Sequence, residues 1–193
     1  MPPHPAIALL EFSGIAVGTR ASDAVAKKAP VSILRAGSLQ PGKYAILFAG
    51  SVAAVEESFV EGRRVGEAAI LDQVLLPDVH PRVHAAVLGR RGDWQDDAIG
   101  IIETQTLAAV IRAADAAVKG AEVELVEIRL GDGLGGKGLA HFSGLRADVE
   151  AALEIGVAAI SDRADPPCTT IISRFDEALR ARLARTTRFA EEG

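Results

Sequence analysis

Cysteine is nearly absent from this chain. Of its 193 residues only Cys168 carries a thiol, so no intrachain disulfide can form and a reducing compartment is the expected setting. Aromatic residues are also scarce, at 4%, while hydrophobic residues as a whole reach 49%. The core must therefore be built from Ala, Val, Ile and Leu. Together with 19 glycines, that composition favours close packing of flat elements over deep aromatic pockets. Excess positive charge is lacking too. A net charge of −5 argues against a nucleic-acid partner, whose footprint is normally basic. No apolar run approaches the roughly 20 residues needed to cross a bilayer. The opening MPPHP lacks the basic-then-apolar layout of a secretory signal. The expectation is a soluble cytosolic protein.

What the chain does have is a repeat. Glu11 matches Glu103, Arg20 matches Arg112, Asp23 matches Asp115, Lys27 matches Lys119 and Val31 matches Val123, each pair 92 positions apart. Past a small insertion, Gly42-Lys43 matches Gly136-Lys137, Gly50 matches Gly144 and Gly62 matches Gly156, now 94 apart. Solenoid units are only about 20–50 residues long. The repeat is therefore two whole small domains, expected at residues 1–92 (with an N-terminal tail) and 93–193. The polar stretch Gly89 to Asp97 is the expected linker between them. Each half is small enough to gain from burial against its twin or another subunit.

Each copy opens on a buried strand, Ile7 to Phe12 or Ile99 to Glu103, followed by an Ala-rich helix, Ile15 to Lys28 or Leu107 to Lys119. Strands are expected next at Val31 to Leu34 and Val123 to Leu130, then at Tyr44 to Phe48 and Leu139 to Phe142. A second helix follows, Val52 to Glu61 or Ala147 to Ile160. Each half then closes on a strand and helix: Ile70 to Leu76 with Arg82 to Leu88, and Thr169 to Ile172 with Asp176 to Leu183. The order β-α-β-β-α-β plus a terminal helix is ferredoxin-like, an α/β (α+β) class in which topology alone decides no function.

Several residue sets invite a chemical reading. Gly131-Asp-Gly-Leu-Gly-Gly-Lys137 resembles a phosphate-binding loop, but Gly138 stands where Ser or Thr should hold magnesium, and the following residues read as a strand. His80 and His84 have a spacing that suits two metal ligands on one helical face. With Pro81 opening the helix and no third ligand, two solvated histidines in an N-terminal turn is the simpler reading. His141, in an apolar strand, reads as a satisfied core or rim residue. Glu11 and Glu103 sit at strand ends beside helix starts, where a carboxylate can cap backbone N–H groups. Asp23 with Lys27 and Asp115 with Lys119 are i,i+4 pairs worth about 0.3–0.5 kcal/mol each on an exposed face. No nucleophile, base and orienter stand together, and no enzyme signature emerges. Cys168, in a late strand, reads as a buried small hydrophobe.

The framework A-I-x-x-[IL]-E, then D-A-x-x-K, a glycine-bearing loop, a strand ending in Gly and a V-E helix resembles bacterial microcompartment shell proteins. Both copies carry it, from about Ala6 to Leu183, so the resemblance is to the tandem-domain, trimer-forming class. Pro41-Gly42-Lys43, Val79-His80-Pro81 and Gly133-Leu134-Gly135-Gly136-Lys137 are similar to single-layer trimers, including those of propanediol-utilising compartments. The resemblance implies a homotrimeric pseudohexamer that tiles a shell with hexameric and pentameric tiles around encapsulated enzymes, with no nucleic-acid or membrane partner. It places tile-edge contacts at Lys27, Lys119 and Arg174. In the first copy the segment corresponding to Arg174 is Asp78 to Arg82. The flanking prolines and histidine usual beside the arginine are replaced by Ser173, Phe175 and Asp176.

The same resemblance places a pore at Gly37, Ser38, Leu39 and Gln40 of the first copy and Gly131, Asp132, Gly133 and Leu134 of the second. Relatives with a cysteine at the Gln40 position hold an iron–sulfur cluster there. Gln40 supplies no thiolate, so neither cluster, metal nor other cofactor is expected. Three Asp132 carboxylates facing an opening would disfavour anions and favour cations or neutral polar solutes. The expected function is thus a structural shell tile with a pore for small polar metabolites, located in the microcompartment shell. Alternatives are a trimeric small-molecule sensor with sites at domain interfaces, an enzyme with a site across subunits, and an electron-conducting tile.

Overall fold

The computed structural model describes residues 5–94, 97–131 and 133–189. The first copy comprises β1 (Ala6–Phe12), α1 (Ile15–Lys28), β2 (Ser32–Leu39), β3 (Lys43–Gly50), α2 (Val52–Gly66), β4 (Ile70–Leu76) and α3 (Pro81–Val87). The second comprises β5 (Ala98–Thr104), α4 (Leu107–Gly120), β6 (Glu124–Leu130), β7 (Gly138–Gly144), α5 (Arg146–Ala158), β8 (Cys168–Ser173) and α6 (Glu177–Arg185). Each copy forms a four-stranded antiparallel sheet, ordered β2-β3-β1-β4 or β6-β7-β5-β8. Even the irregularities repeat. The register of β2 on β3 shifts between Ile33 and Arg35, and that of β6 on β7 shifts between Leu125 and Glu127. The residues after Lys137 form β7, which removes the phosphate-loop reading, since such a loop must open a helix.

The sequence reading of β2 stops at Leu34, whereas the strand runs on to Leu39. Its mostly exposed residues follow no apolar pattern; pairing with β3 holds them extended. Proline at the first position of α3 matches expectation, but the histidines around it do not. His80 Nδ1 accepts from the Arg82 N–H at 3.2 Å and so caps the helix, while His84 is buried. The face of α3 that carries His84 is turned inward with Val83, Ala86 and Val87, so the two side chains serve the fold separately.

Strand β1 is buried along its whole length because both faces are covered. Ala6, Ala8, Leu10 and Phe12 pack with Ala21, Val25 and Val55 of α1 and α2. Ile7 and Leu9 join a second cluster that takes in α3 and runs without interruption through the core of the second copy. The two domains thus share one core.

Helix–sheet packing in the two copies is solved in opposite ways. In the first, Gly18 of α1 receives Tyr44 of β3, and a Cβ on Gly18 would lie 2.7 Å from the Tyr44 Cβ. In the second, Gly138 of β7 receives Val110 of α4, and a Cβ on Gly138 would lie 2.4 Å from Val110 Cγ1. Bulk has moved from strand to helix, and the space it needs has moved the other way.

His141 of β7 is buried against Trp94, with ring centroids 5.7 Å apart, and its Nδ1 lies 4.0 Å from Glu127. It is a core residue but not a satisfied one: among the described residues Nδ1 finds no hydrogen-bond partner. Burial holds its pKa down to about 4, against the pull of Glu127.

Gly18→Ala should destabilise the fold by about 1–3 kcal/mol in urea unfolding, although alanine gains about 1 kcal/mol of helix propensity. Adding Tyr44→Gly, which imports the arrangement of the second copy, should recover part of that loss. His141 stays neutral in the fold while the unfolded chain protonates below about 6.5. Stability should therefore fall by up to about 3 kcal/mol between pH 6.5 and 4, and His141→Phe should flatten that slope in a pH series of unfolding curves.

Candidate functional site

The surface that decides what this chain can build is the joint between its two copies. Glu11, at the end of β1, is fully buried. Its Oε2 accepts from the Leu107 N–H at 2.9 Å, capping α4 of the other copy rather than the helix that follows it in sequence. Its Oε1 accepts from Lys43 Nζ at 2.9 Å, and the same ammonium donates to the Gln105 carbonyl at 3.3 Å. Burial raises the Glu11 pKa, while the bonds from Lys43 and Leu107 work the other way. The carboxylate-cap reading of Glu11 holds, with the partner supplied across the joint.

Further contacts run the same way, from first copy to second. Asp72 of β4 accepts from Thr106 Oγ1 and lies 2.9 Å from Arg163 Nη1. The His80 N–H donates to Asp115 at 2.8 Å, and Lys119 donates to both Asp115 and the Asp78 carbonyl. Arg82 reaches the Val123 carbonyl and Glu124.

Among the described residues, the counterparts of these groups in the other copy meet nothing comparable. Glu103 pairs, among the described residues, with Lys137 alone, and both side chains remain about 40% exposed. Asp23 and Lys27 pair with each other at 2.6 Å, well out in solvent. Ten residues of α4 are buried against three of α1, although the two helices are equal in length. Cys168 is exposed, not buried as its apolar strand implies, because no helix within the chain covers the outer side of β8 as α4 covers β4. Arg174, also exposed, takes a left-handed φ of 51° as its N–H donates to the Asp97 carbonyl.

The loops expected to line a pore come together within the chain. A Cβ on Gly136 (φ 81°) would stand 2.5 Å from the Gln40 carbonyl, and one on Gly131 (φ 74°) would stand 2.8 Å from Leu39 Cδ2. Both positions need glycine twice over, for the positive φ and for the approach of the other loop. Ser38 and Gln40 are exposed, while Gly37 and Leu39 are partly covered. Gly133 and Leu134 lie in the turn before β7, and Asp132 lies outside the described residues. Gln40 presents an amide, so the loop does not fit a thiolate-held cluster. Among the described residues no group of three or more His, Cys, Asp or Glu side chains could hold a metal ion.

Comparison with known proteins agrees with this geometry. The BMC domain family model matches twice, at residues 6–79 and 98–174. The chain belongs to the BMC-domain family of microcompartment shell proteins. It is 33% identical over 174 residues to the bacterial microcompartment shell protein PduT of Citrobacter freundii, covering 90% of this chain and 95% of that one. It is 28% identical over 191 residues to the carboxysome assembly protein CcmO of a Synechocystis strain, spanning 91% of this chain and 63% of that protein. Among solved structures, a microcompartment protein from Desulfitobacterium hafniense DCB superposes with a TM-score of 0.80 at 39% identity, covering 91% of this chain and 98% of that one. The fused permuted hexameric shell protein MSM0275 from the RMM microcompartment shares the fold, with a TM-score of 0.58 at 22% identity over 80% of this chain and 81% of that one. As a BMC protein with two domains, the chain has a structural rather than an enzymatic role, in the microcompartment shell.

The sequence reading pairs Asp115 with Lys119, as the structure does, but does not supply the partners of Glu11 or the link from this pair to Asp78 and His80. Asp72 and Arg163 were missed altogether, and in neither case does a spacing signal exist. Glu11→Gln keeps the cap on Leu107 but removes the carboxylate partner of the Lys43 ammonium, leaving it the Gln105 carbonyl. It should cost about 2 kcal/mol in chemical unfolding, below the 3–5 kcal/mol of a fully buried pair because Lys43 is 20% exposed. Glu103→Gln should leave the midpoint of the isolated chain unchanged.

Proposed function

We propose that three chains close head to tail into a ring of six BMC domains, a pseudohexameric shell tile with a pore on its axis. One observation carries this reading. The Glu11–Lys43 and Asp115–Lys119 pairs that bind the first copy to the second recur as Glu103–Lys137 and Asp23–Lys27, both of them left in solvent. A repeated heterologous contact whose rotation closes gives a ring. Each domain unit in this reading is one half of the chain, divided at Gly92/Asp93.

By the offset of the repeat, Glu103 takes the Ile15 N–H of the next chain, and Lys137 takes its Ser13 carbonyl. Asp23 and Lys27 then receive the Ser173-to-Asp176 segment, Arg174 included, as Asp115 and Lys119 receive Asp78 to His80. Cys168 stands where Asp72 stands in the internal joint and faces Gly14 of the neighbour.

Ring closure brings the six loops around Gly37 to Gln40 and Gly131 to Leu134 onto one axis, as a passage for small polar metabolites. The outer rim, with Lys27, Lys119 and Arg174 near it, meets neighbouring hexameric and pentameric tiles, with encapsulated enzymes on the luminal side. Lysine stems there can lie along apolar surface while their ammonium groups donate to carbonyls.

Native mass spectrometry should give three times the 20.1 kDa chain mass. In that ring Cys168 should resist maleimide, and Glu103→Arg should both release monomer and make the thiol react at the rate of a free cysteine. A monomeric wild-type chain, or a trimer whose Cys168 alkylates freely, would remove the reading.

A further inference from the structure

Between β2, β6, the linker after α3 and the tail after α6 lies a cavity of about 220 Å³ that the tile reading does not use. Arg35, Arg91, Arg129, Arg185 and Arg188 line it, and Glu127 is the one carboxylate among them. Glu127 is already engaged: it accepts from Thr187 Oγ1 at 2.7 Å and lies 3.5 Å from Arg91 Nη2. In a chain of net charge −5, five guanidinium groups around one small cavity are a local inversion of sign.

Part of this set has a structural duty. Arg91 donates to the Leu183 and Ala184 carbonyls at 2.7 and 2.8 Å, and Arg129 donates to the Thr187 carbonyl at 3.3 Å. These bonds hold the tail across β6. They do not account for Arg35 and Arg188, which come from β2 and the tail and meet at the same cavity. Nor do they account for Arg91 Nε, which is buried without an acceptor. The linker backbone passes the mouth at Gly89, where a Cβ would lie 3.4 Å from Arg35 Nη2. Burial lowers the Arg129 pKa and the nearby Arg188 charge lowers it further, while Glu127 opposes both. Like charges gathered this way are relieved by an anion placed between them.

We infer that this cavity binds a multiply charged phosphate group of the pyrophosphate class, held by Arg35, Arg129 and Arg188. Guanidinium forks match phosphate oxygens two at a time, and several of them suit an anion with several oxygens. The volume decides between a whole molecule and a head group. It falls below the roughly 300–1,000 Å³ of pockets that enclose a small ligand, so the anionic group enters and any organic remainder stays in solvent. A Cβ on Gly133 would lie 3.9 Å from Arg129 Nη2, which sets the site beside a loop of the proposed pore. A waiting position at the opening rests on that pore reading; the binding itself does not, since every group comes from one chain.

Calorimetric titration of the full chain with sodium pyrophosphate at low ionic strength should give one saturable site per chain. Arg35→Gln and Arg188→Gln should each weaken it about tenfold, the expectation for losing one charge-assisted contact. Arg64→Gln, whose charge pairs with Glu61 on α2, should change nothing. ADP binding as tightly as pyrophosphate would support recognition of the head group alone. Orthophosphate binding as tightly would overturn the multiply charged assignment. Absence of saturable heat, or equal affinity in all the variants, would overturn the site. Arg35 and Arg188 are exposed, so these variants should fold as wild type. Native mass measured alongside separates loss of the site from loss of the ring.

Discussion

The carboxylate of Glu11 is the constraint on which the rest of the molecule depends. A fully buried acid must find donors, and the donors it finds belong to the other copy or bridge to it. That single requirement fixes where α4 begins relative to β1, which sets β4 against α4 and His80 against Asp115. The apolar core follows the same geometry. One face of β1 belongs to its own domain, and the other is continuous with the core of its twin. Hydrophobic burial supplies most of the driving force, but it is non-directional. The polar contacts select one angle between the copies, and a ring closes only at one angle.

Duplication in one chain also relaxes a constraint that identical subunits must obey. In a ring of six identical domains every joint has the same residues, so a change at one is a change at all. In the proposed ring, two copies in tandem would allow the internal and external joints to diverge. Asp72 is pinned by Thr106 and Arg163 inside the chain, whereas Cys168 holds the corresponding position on the outside. Gly18 with Tyr44 and Val110 with Gly138 show the same freedom inside the cores. Close packing leaves little room for a lone change of volume, so bulk and space have moved together.

Much of this was legible in the sequence because the signals were local or repeated. The limits of α1 and β4 were read correctly, and the strand after Lys137 followed from its apolar run. The matched Glu, Asp and Lys positions stood out by their repetition, although the structure uses Glu11, Asp115 and Lys119 across the joint between the copies. What stayed hidden was long-range. Nothing near Glu11 points to Leu107, 96 residues away. The outer part of β2 has no alternation, because its conformation is imposed by β3. Cys168 sits in a strand of buried type, yet whether such a strand is covered depends on what stands beside it. His84 looked solvated because a seven-residue helix offers too few turns to reveal which face is inward.

The arginine cavity belongs to the hidden class for a further reason. Its five cations lie on β2, the linker, β6, the end of α6 and the tail after it, so no window of sequence shows more than two of them together. The carboxylate at Asp132 argued for an opening that repels anions, while the cavity beside the same loop concentrates positive charge. The two are compatible if they act at different places. Screening over a Debye length of about 8 Å at physiological salt keeps such fields local. A shell tile has two faces and one axis, and selectivity depends on where each charge stands. The chain's overall sign therefore says nothing about which solute gathers at this cavity.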